Sequence, residues 1–309
     1  MDRVRALLHT KEVHDAGITG RGVTACVLDS GICLHPDYAA RIVSFRDFVN
    51  GRTACYDDAS HGSHVSGILG GNGRSSGGRY CGIAPDCRLI HLKVLDRYGQ
   101  GSLADIMEAI QWAIRNRDRF RIRVLNISAG TTKETEEEGA RLLVSRVEEA
   151  WDAGLVVVAA AGNMGPEPMS ITAPGNSRKV ITVGSSDALM VRPHQRGDAA
   201  LRKEQSFGSA YSGCGPTREC ICKPEVVAPG TDIVSCSTMW KRGRYYSTKS
   251  GTSMAAPAIA GAAALLLESE PDLTNVQVKM RLKEASADLG YPVNRQGWGM
   301  PDLRKLLKL

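Results

Sequence analysis

The chain is short of aromatic residues, of charge of one sign and of long apolar runs. Only 5% of its 309 residues are Phe, Trp or Tyr, whereas 33 are glycine. That balance points to tight turns and small-residue packing. A hydrophobic fraction of 42% excludes a disordered chain. No apolar run approaches membrane-spanning length without charges. The opening residues, Met1-Asp2-Arg3-Val4-Arg5-Ala6-Leu7-Leu8-His9, contain no apolar core of a secretory signal. The formal net charge of +6, from 39 Lys and Arg against 33 Asp and Glu, is mild for this length. Basic residues cluster only briefly, at Arg117, Arg119, Arg121 and Arg123, which reads as a solvated surface around a helix end rather than a nucleic-acid surface. The nine cysteines are odd in number and scattered, a pattern of reduced thiols rather than of a disulfide scaffold. These absences predict a soluble, cytoplasmic protein with no nucleic-acid or membrane partner. A trimmed mature form would instead be secreted.

What is present alternates. Apolar spacing predicts a first helix over residues 3–17. A buried strand follows at Val23–Leu28 and a polar loop region covers about 46–60. A helix is expected from His61 to Leu69, then a Gly/Ser-rich loop over 70–78. Strands are expected at 89–95, 124–127, 155–161, 180–183 and 225–228, and helices at 102–116, 134–153, 253–268 and 275–285. The helix over 134–153 opens with many glutamates, which suits the positive end of a helix dipole. Alternation over the whole length predicts one α/β domain, residues 1–309, with a mostly parallel sheet covered by helices on both faces.

Four segments carry chemistry. Asp29 sits at the C-terminal end of the first strand, the sheet edge where catalytic groups collect. His61 opens a helix and is followed by Gly62, so its ring can project into a cleft. His64 lies three residues on, but no glutamate between them and no distant third ligand completes a zinc pattern. Asn163 ends the strand Ala159-Ala160-Ala161-Gly162 and offers a side-chain amide donor at the same edge. Ser253 follows Gly251-Thr252 and opens an alanine-rich helix, where orphan N–H groups and the helix dipole favour an oxyanion. Taken singly, each has an ordinary explanation as a turn former, surface histidine or helix cap.

Together they resemble the subtilisin family of serine peptidases. The resemblance rests on Val27-Leu28-Asp29-Ser30-Gly31, His61-Gly62-Ser63-His64-Val65, Ala161-Gly162-Asn163 and Gly251-Thr252-Ser253-Met254-Ala255-Ala256-Pro257, in the family's order. It runs from about Gly20 to about Leu306, and the layout is similar to the compact intracellular members. It implies a three-layer α/β fold and a serine endopeptidase with Asp29, His61 and Ser253 as catalytic triad and Asn163 as oxyanion donor. It also implies substrate contacts from Gly99-Gln100-Gly101, from Ser128-Ala129-Gly130 and from Gly162 and Met164, protein or peptide substrates, and activity as written. The alternative from another class is a catalytically silent subtilisin-like regulator, which usually lacks a triad residue. An esterase is disfavoured because the candidate residues run in the order Asp, His, Ser, whereas the usual esterase fold has Ser, Asp, His.

Departures from the family pattern concern metals. Asp37 matches a calcium ligand of secreted relatives, but the facing loop over 70–79 carries Arg74 and Arg79, unfavourable beside a hard cation. No cofactor is therefore expected to be required, no metal site is assigned, and only weak calcium binding is left open. Cys214, Cys220 and Cys222 lack a fourth ligand at zinc spacing and are expected to be free thiols. Residues 187–206 read as a basic surface insertion.

Overall fold

The computed structural model describes residues 1–130, 137–186 and 211–309. The basic insertion at 187–206 and the glutamates at 134 and 136 lie outside the described residues.

Residues 3–17 do not form one helix. They form α1 (Asp2–Leu7) and α2 (Thr10–Asp15), broken where His9 adopts a left-handed φ of 56°. At about 100° per residue, a straight helix would carry Val4 and Val13 on opposite faces. The break lets Val4, Leu8 and Val13 all be buried.

The central sheet has seven strands in the order β2-β3-β1-β4-β5-β6-β7, all neighbours running parallel. In chain order they are β1 (Thr24–Asp29), β2 (Ile42–Asp47), β3 (Arg88–Lys93), β4 (Ile122–Ile127), β5 (Val156–Ala160), β6 (Ile181–Ser185) and β7 (Val226–Ala228). Strands β1, β5, β6 and β7 are wholly buried, as apolar runs such as Val156-Val157-Val158 require when helices cover both faces. β2 was not evident in the sequence. It is a half-exposed edge strand, so its Ser44 and Arg46 tolerate solvent and hide its pattern.

Helix α3 (His61–Gly70) packs against α7 (Thr252–Ser269), and α7 lies across β4, β5 and β6. Helices α4 (Leu103–Arg115) and α6 (Glu137–Asp152) pack on each other and on β1 and β5 respectively, and α5 (Arg117–Phe120) leads into β4. This is the expected three-layer α/β arrangement. Contrary to the sequence expectation, α7 is long and apolar enough to match a membrane span by composition. Yet 89% of it is buried within the protein, as befits a core helix. Its glycine is set by close packing: a Cβ on Gly261 would lie 2.6 Å from the Ile83 Cβ.

Two further strands, β8 (Ile233–Cys236) and β9 (Tyr246–Lys249), form an antiparallel pair apart from the main sheet. Helix α8 (Asn275–Ala285) opens with a capping box, in which Thr274 Oγ1 accepts from the Gln277 N–H. The short α9 (Val293–Gln296) and α10 (Leu303–Leu307) complete the chain. The basic cluster is structural in part. Arg123 donates to the carbonyls of Pro271 and Leu273 at 2.6 and 2.8 Å, and Arg117 donates to that of Ala153.

Candidate active site

The sheet order departs in opposite directions on either side of β1, toward β3 and toward β4. In open α/β sheets such a switch point opens a crevice at the C-terminal strand edge. Asp29 is the last residue of β1 and its side chain is fully buried. His61 is the first residue of α3, and its Nδ1 lies 2.7 and 2.9 Å from the two Asp29 carboxylate oxygens.

Local chemistry fixes these two elements to each other. The Ser30 hydroxyl accepts from the Gly62 N–H at 3.0 Å and donates to Asp57 Oδ1 at 2.9 Å. The Asp57 carboxylate in turn accepts from the N–H groups of Ala59, Ser60 and Ser63. An anion at the start of α3 satisfies donors that the helix cannot use itself. Glycine is required at two positions nearby. A Cβ on Gly62 would lie 2.3 Å from the Gly31 carbonyl, and Gly31 itself has a φ of 125°, with the Tyr56 carbonyl 2.1 Å from where its Cβ would be. Ser30 and Asp57 were not recognised in the sequence as members of the site. Asp57 stands four residues before His61, a spacing with no distinctive signal of its own.

The electrostatics follow from burial and pairing. Burial of the His61 ring opposes its charge. The charge and hydrogen bond of Asp29 outweigh this, and the pKa is raised above the ordinary 6.5. Lys249 acts in the opposite sense. For Asp29, burial raises the pKa but the His61 interactions prevail, so the carboxylate stays ionised to lower pH than usual. The other two histidines nearby are different. Burial pushes His64 down to about 3 and His91 down to about 4, so both are neutral. His64 faces the carbonyls of Ile233 and Ser247, away from any partnership with His61 in metal binding.

Ser253 lies in the first turn of α7, and its hydroxyl donates to the Ser128 carbonyl at 3.0 Å. Asn163 is held by its oxygen: Oδ1 accepts from the Thr252 N–H at 3.0 Å and from the Thr252 hydroxyl at 3.1 Å. The Thr252 hydroxyl also accepts from the Gly162 N–H at 3.2 Å. With Oδ1 so committed, the amide nitrogen Nδ2 is the donor left for a ligand. A Cβ on Gly251 would lie 3.4 Å from this Nδ2 and 3.8 Å from the Ser253 backbone nitrogen, so the two donors border one small space. The hold of Thr252 on Asn163 is visible only in three dimensions.

A cleft of about 780 Å³ collects these parts. Its lining includes His61, Asn163 and Ser253 together with Gly99, Gln100, Gly101, Ser128, Ala129, Gly130, Gly162 and Met164. Every substrate-contact residue expected from the sequence therefore borders the same cleft.

Metal ligation has one candidate among the described residues. His35, Asp37 and Cys236 are buried, with ligand atoms within 4.8 Å of one another. Imidazole and thiolate do not suit calcium, which takes oxygen ligands. The Asp37 carboxylate already accepts from the Ser75 N–H at 2.9 Å and the Tyr246 hydroxyl at 2.7 Å, and His35 Nε2 pairs with the Tyr245 carbonyl. Hydrogen bonds thus occupy the group that matches the relatives' calcium ligand. All nine cysteines are free, and Cys214 is buried while Cys220 and Cys222 are exposed.

Comparison with known proteins agrees with this geometry. The sequence model of the subtilase family matches residues 20–299. Serine protease AprX of Bacillus subtilis is 41% identical over 93% of this chain, which spans 66% of that protein's length. Subtilisin Savinase of Lederbergia lenta is 33% identical, with 93% of this chain and 91% of that protein covered. Among solved structures, an S41 psychrophilic protease superposes with a TM-score of 0.74 at 31% identity, covering 92% of each chain. A cold-adapted subtilisin-like serine proteinase gives 0.70 at 28% identity, covering 92% of this chain and 88% of the other. The chain belongs to the subtilase family, the S8 class of serine peptidases.

Proposed function

We propose that the chain is an endopeptidase that cleaves peptide bonds through an acyl-enzyme on Ser253. The observation that carries this reading is the short pair from His61 Nδ1 to the buried Asp29 carboxylate, in a cleft that also holds Ser253. Asp29 fixes the imidazole so that its other nitrogen, Nε2, takes the Ser253 proton. At rest the Ser253 hydroxyl donates a hydrogen bond to the Ser128 carbonyl, so the O–H turns toward Nε2 as the reaction begins. Ser253 Oγ bonds to the scissile carbonyl carbon, and the carbonyl oxygen takes up negative charge between Asn163 Nδ2 and the Ser253 N–H. His61 then protonates the leaving amine. Water, deprotonated by the same imidazole, releases the acid product. Residues 99–101 and 128–130 flank an extended substrate, their glycines letting a peptide backbone approach closely. We also assign the protein to a reducing compartment, a reading supported by its nine unpaired thiols.

A fluorophosphonate probe followed by peptide mass spectrometry tests the nucleophile. One adduct on Ser253, absent in Ser253→Ala, is expected. That variant should also lose about 10⁶ in kcat, the loss known for the same change in subtilisin itself. A folded protein that fails to label would overturn the peptidase reading in favour of a regulatory one.

A further inference from the structure

Lys249 is the last residue of β9 and borders the cleft together with His61 and Ser253. It makes no ion pair among the described residues, and none of the described residues lining the cleft is a carboxylate. The acidic groups close by are already engaged. Asp29 is paired with His61, Asp58 with Lys93 at 2.7 Å, and Asp57 with the N–H groups at the start of α3. Among the described residues, the ammonium therefore has no neutralising partner in the cleft. That charge reaches the catalytic centre, since it opposes protonation of His61.

The side of the cleft can also be assigned. The two segments expected to flank an extended substrate are 99–101 and 128–130. Lys249 comes from neither. It belongs to the β8–β9 pair, and β8 packs on α3, the helix that carries His61. His61 is the group that hands a proton to the leaving amine, so a neighbour on its flank faces the leaving half. Arg97, the other cation of the lining, stands just before the 99–101 segment. It is stacked on Tyr98 at 4.7 Å and bonded to its hydroxyl, with the Asp96 carboxylate in the same turn.

We propose that Lys249 selects substrates carrying an acidic side chain just after the scissile bond. The inference rests on the peptidase reading and adds a substrate class to it. A charge pair at the edge of a solvated cleft is a modest attraction, and the matching repulsion of a basic residue adds to it. Together they amount to about tenfold in kcat/KM between acidic and basic substrates.

The test uses internally quenched peptides that are identical except for Glu, Gln or Lys at the first or second residue after the cleavage point. The cleavage point is verified by mass spectrometry. The wild-type protein should prefer Glu over Lys about tenfold, and less at high salt. Lys249→Gln should bring the ratio toward one and Lys249→Glu should invert it. Fluorophosphonate labelling of Ser253 in each variant verifies that the site is assembled. A wild-type ratio near one, or a ratio unmoved by Lys249→Glu, would overturn the proposal. If the Gln peptide is cleaved and Ser253 labels while charge makes no difference, the selectivity falls and the peptidase reading stands. If no peptide is cleaved and Ser253 does not label, both fall.

Discussion

Replacing Thr252 with valine isolates the orientation of the oxyanion donor from the donor itself. The substitution keeps the shape of the side chain and deletes one hydroxyl. That hydroxyl supplies one of the two hydrogen bonds holding Asn163 Oδ1, and it accepts the Gly162 N–H. A hydrogen bond of this kind is worth about 1 kcal/mol, and the Gly162 donor left without a partner adds a comparable cost. The remaining Thr252 N–H bond still holds Asn163, so the amide is loosened rather than lost. We expect kcat to fall about tenfold, equivalent to roughly 1.4 kcal/mol, with KM nearly unchanged. An interaction made only in the transition state should behave in this way. Asn163→Ala should cost more, about 10²–10³, the loss known for the corresponding donor in subtilisin. Thr252→Ser retains the hydroxyl and should restore most of the activity. Steady-state kinetics on one peptide, with the affinity of a peptide boronate measured in parallel, decides the matter. If Thr252→Val leaves kcat and boronate affinity intact while Asn163→Ala abolishes both, Thr252 does not position the donor.

Four other outcomes follow from the structure. The proposed mechanism requires neutral His61, so kcat/KM should rise with pH through a pKa above 6.5. Lys249→Gln removes a charge that lowers this pKa, and should move the acid limb to higher pH in a pH–rate profile. Lys93 is fully buried and donates to Ser30 O, Leu95 O and Asp58, the last being 37% exposed. Lys93→Met should therefore destabilise the fold by about 2–3 kcal/mol in urea titrations, below the cost of stranding a fully buried charge. Burial pushes the Cys87 thiol up to about 12 and raises that of Cys26 further, whereas Cys220 and Cys222 are exposed. Ellman's reagent should modify the exposed pair in the native protein and reach Cys26 and Cys87 only after denaturation.

Legibility in the sequence followed burial. β1, β5 and β6 are enclosed on both faces, and their Val- and Ala-rich runs announce them. Edge strand β2 and strand β9 have no such enclosure and give no clear pattern, while β8 is buried but only four residues long. Helix periodicity alone merged α1 and α2, because the break depends on which wall of the core Val13 must meet. At the site, Asp29, His61, Asn163 and Ser253 lie in short motifs and could be picked out together. Ser30, Asp57, Thr252 and Lys249 act through neighbours that are far away in sequence, and only folding reveals those neighbours.

The bond of Ser30 to the first turn of α3 has a consequence for biosynthesis. Asp29, His61, Asn163 and Ser253 are spread over nearly the whole chain, and the parallel sheet that gathers them is built from non-local pairings. While the ribosome is still making α7, the nucleophile does not yet exist, although the Asp29–His61 half can already be tied together through Ser30. On the proposed mechanism, a chain lacking α7 has no nucleophile, and peptidase activity should arrive only once α7 has docked. Gain of peptidase activity during refolding should therefore trail the gain of helical signal.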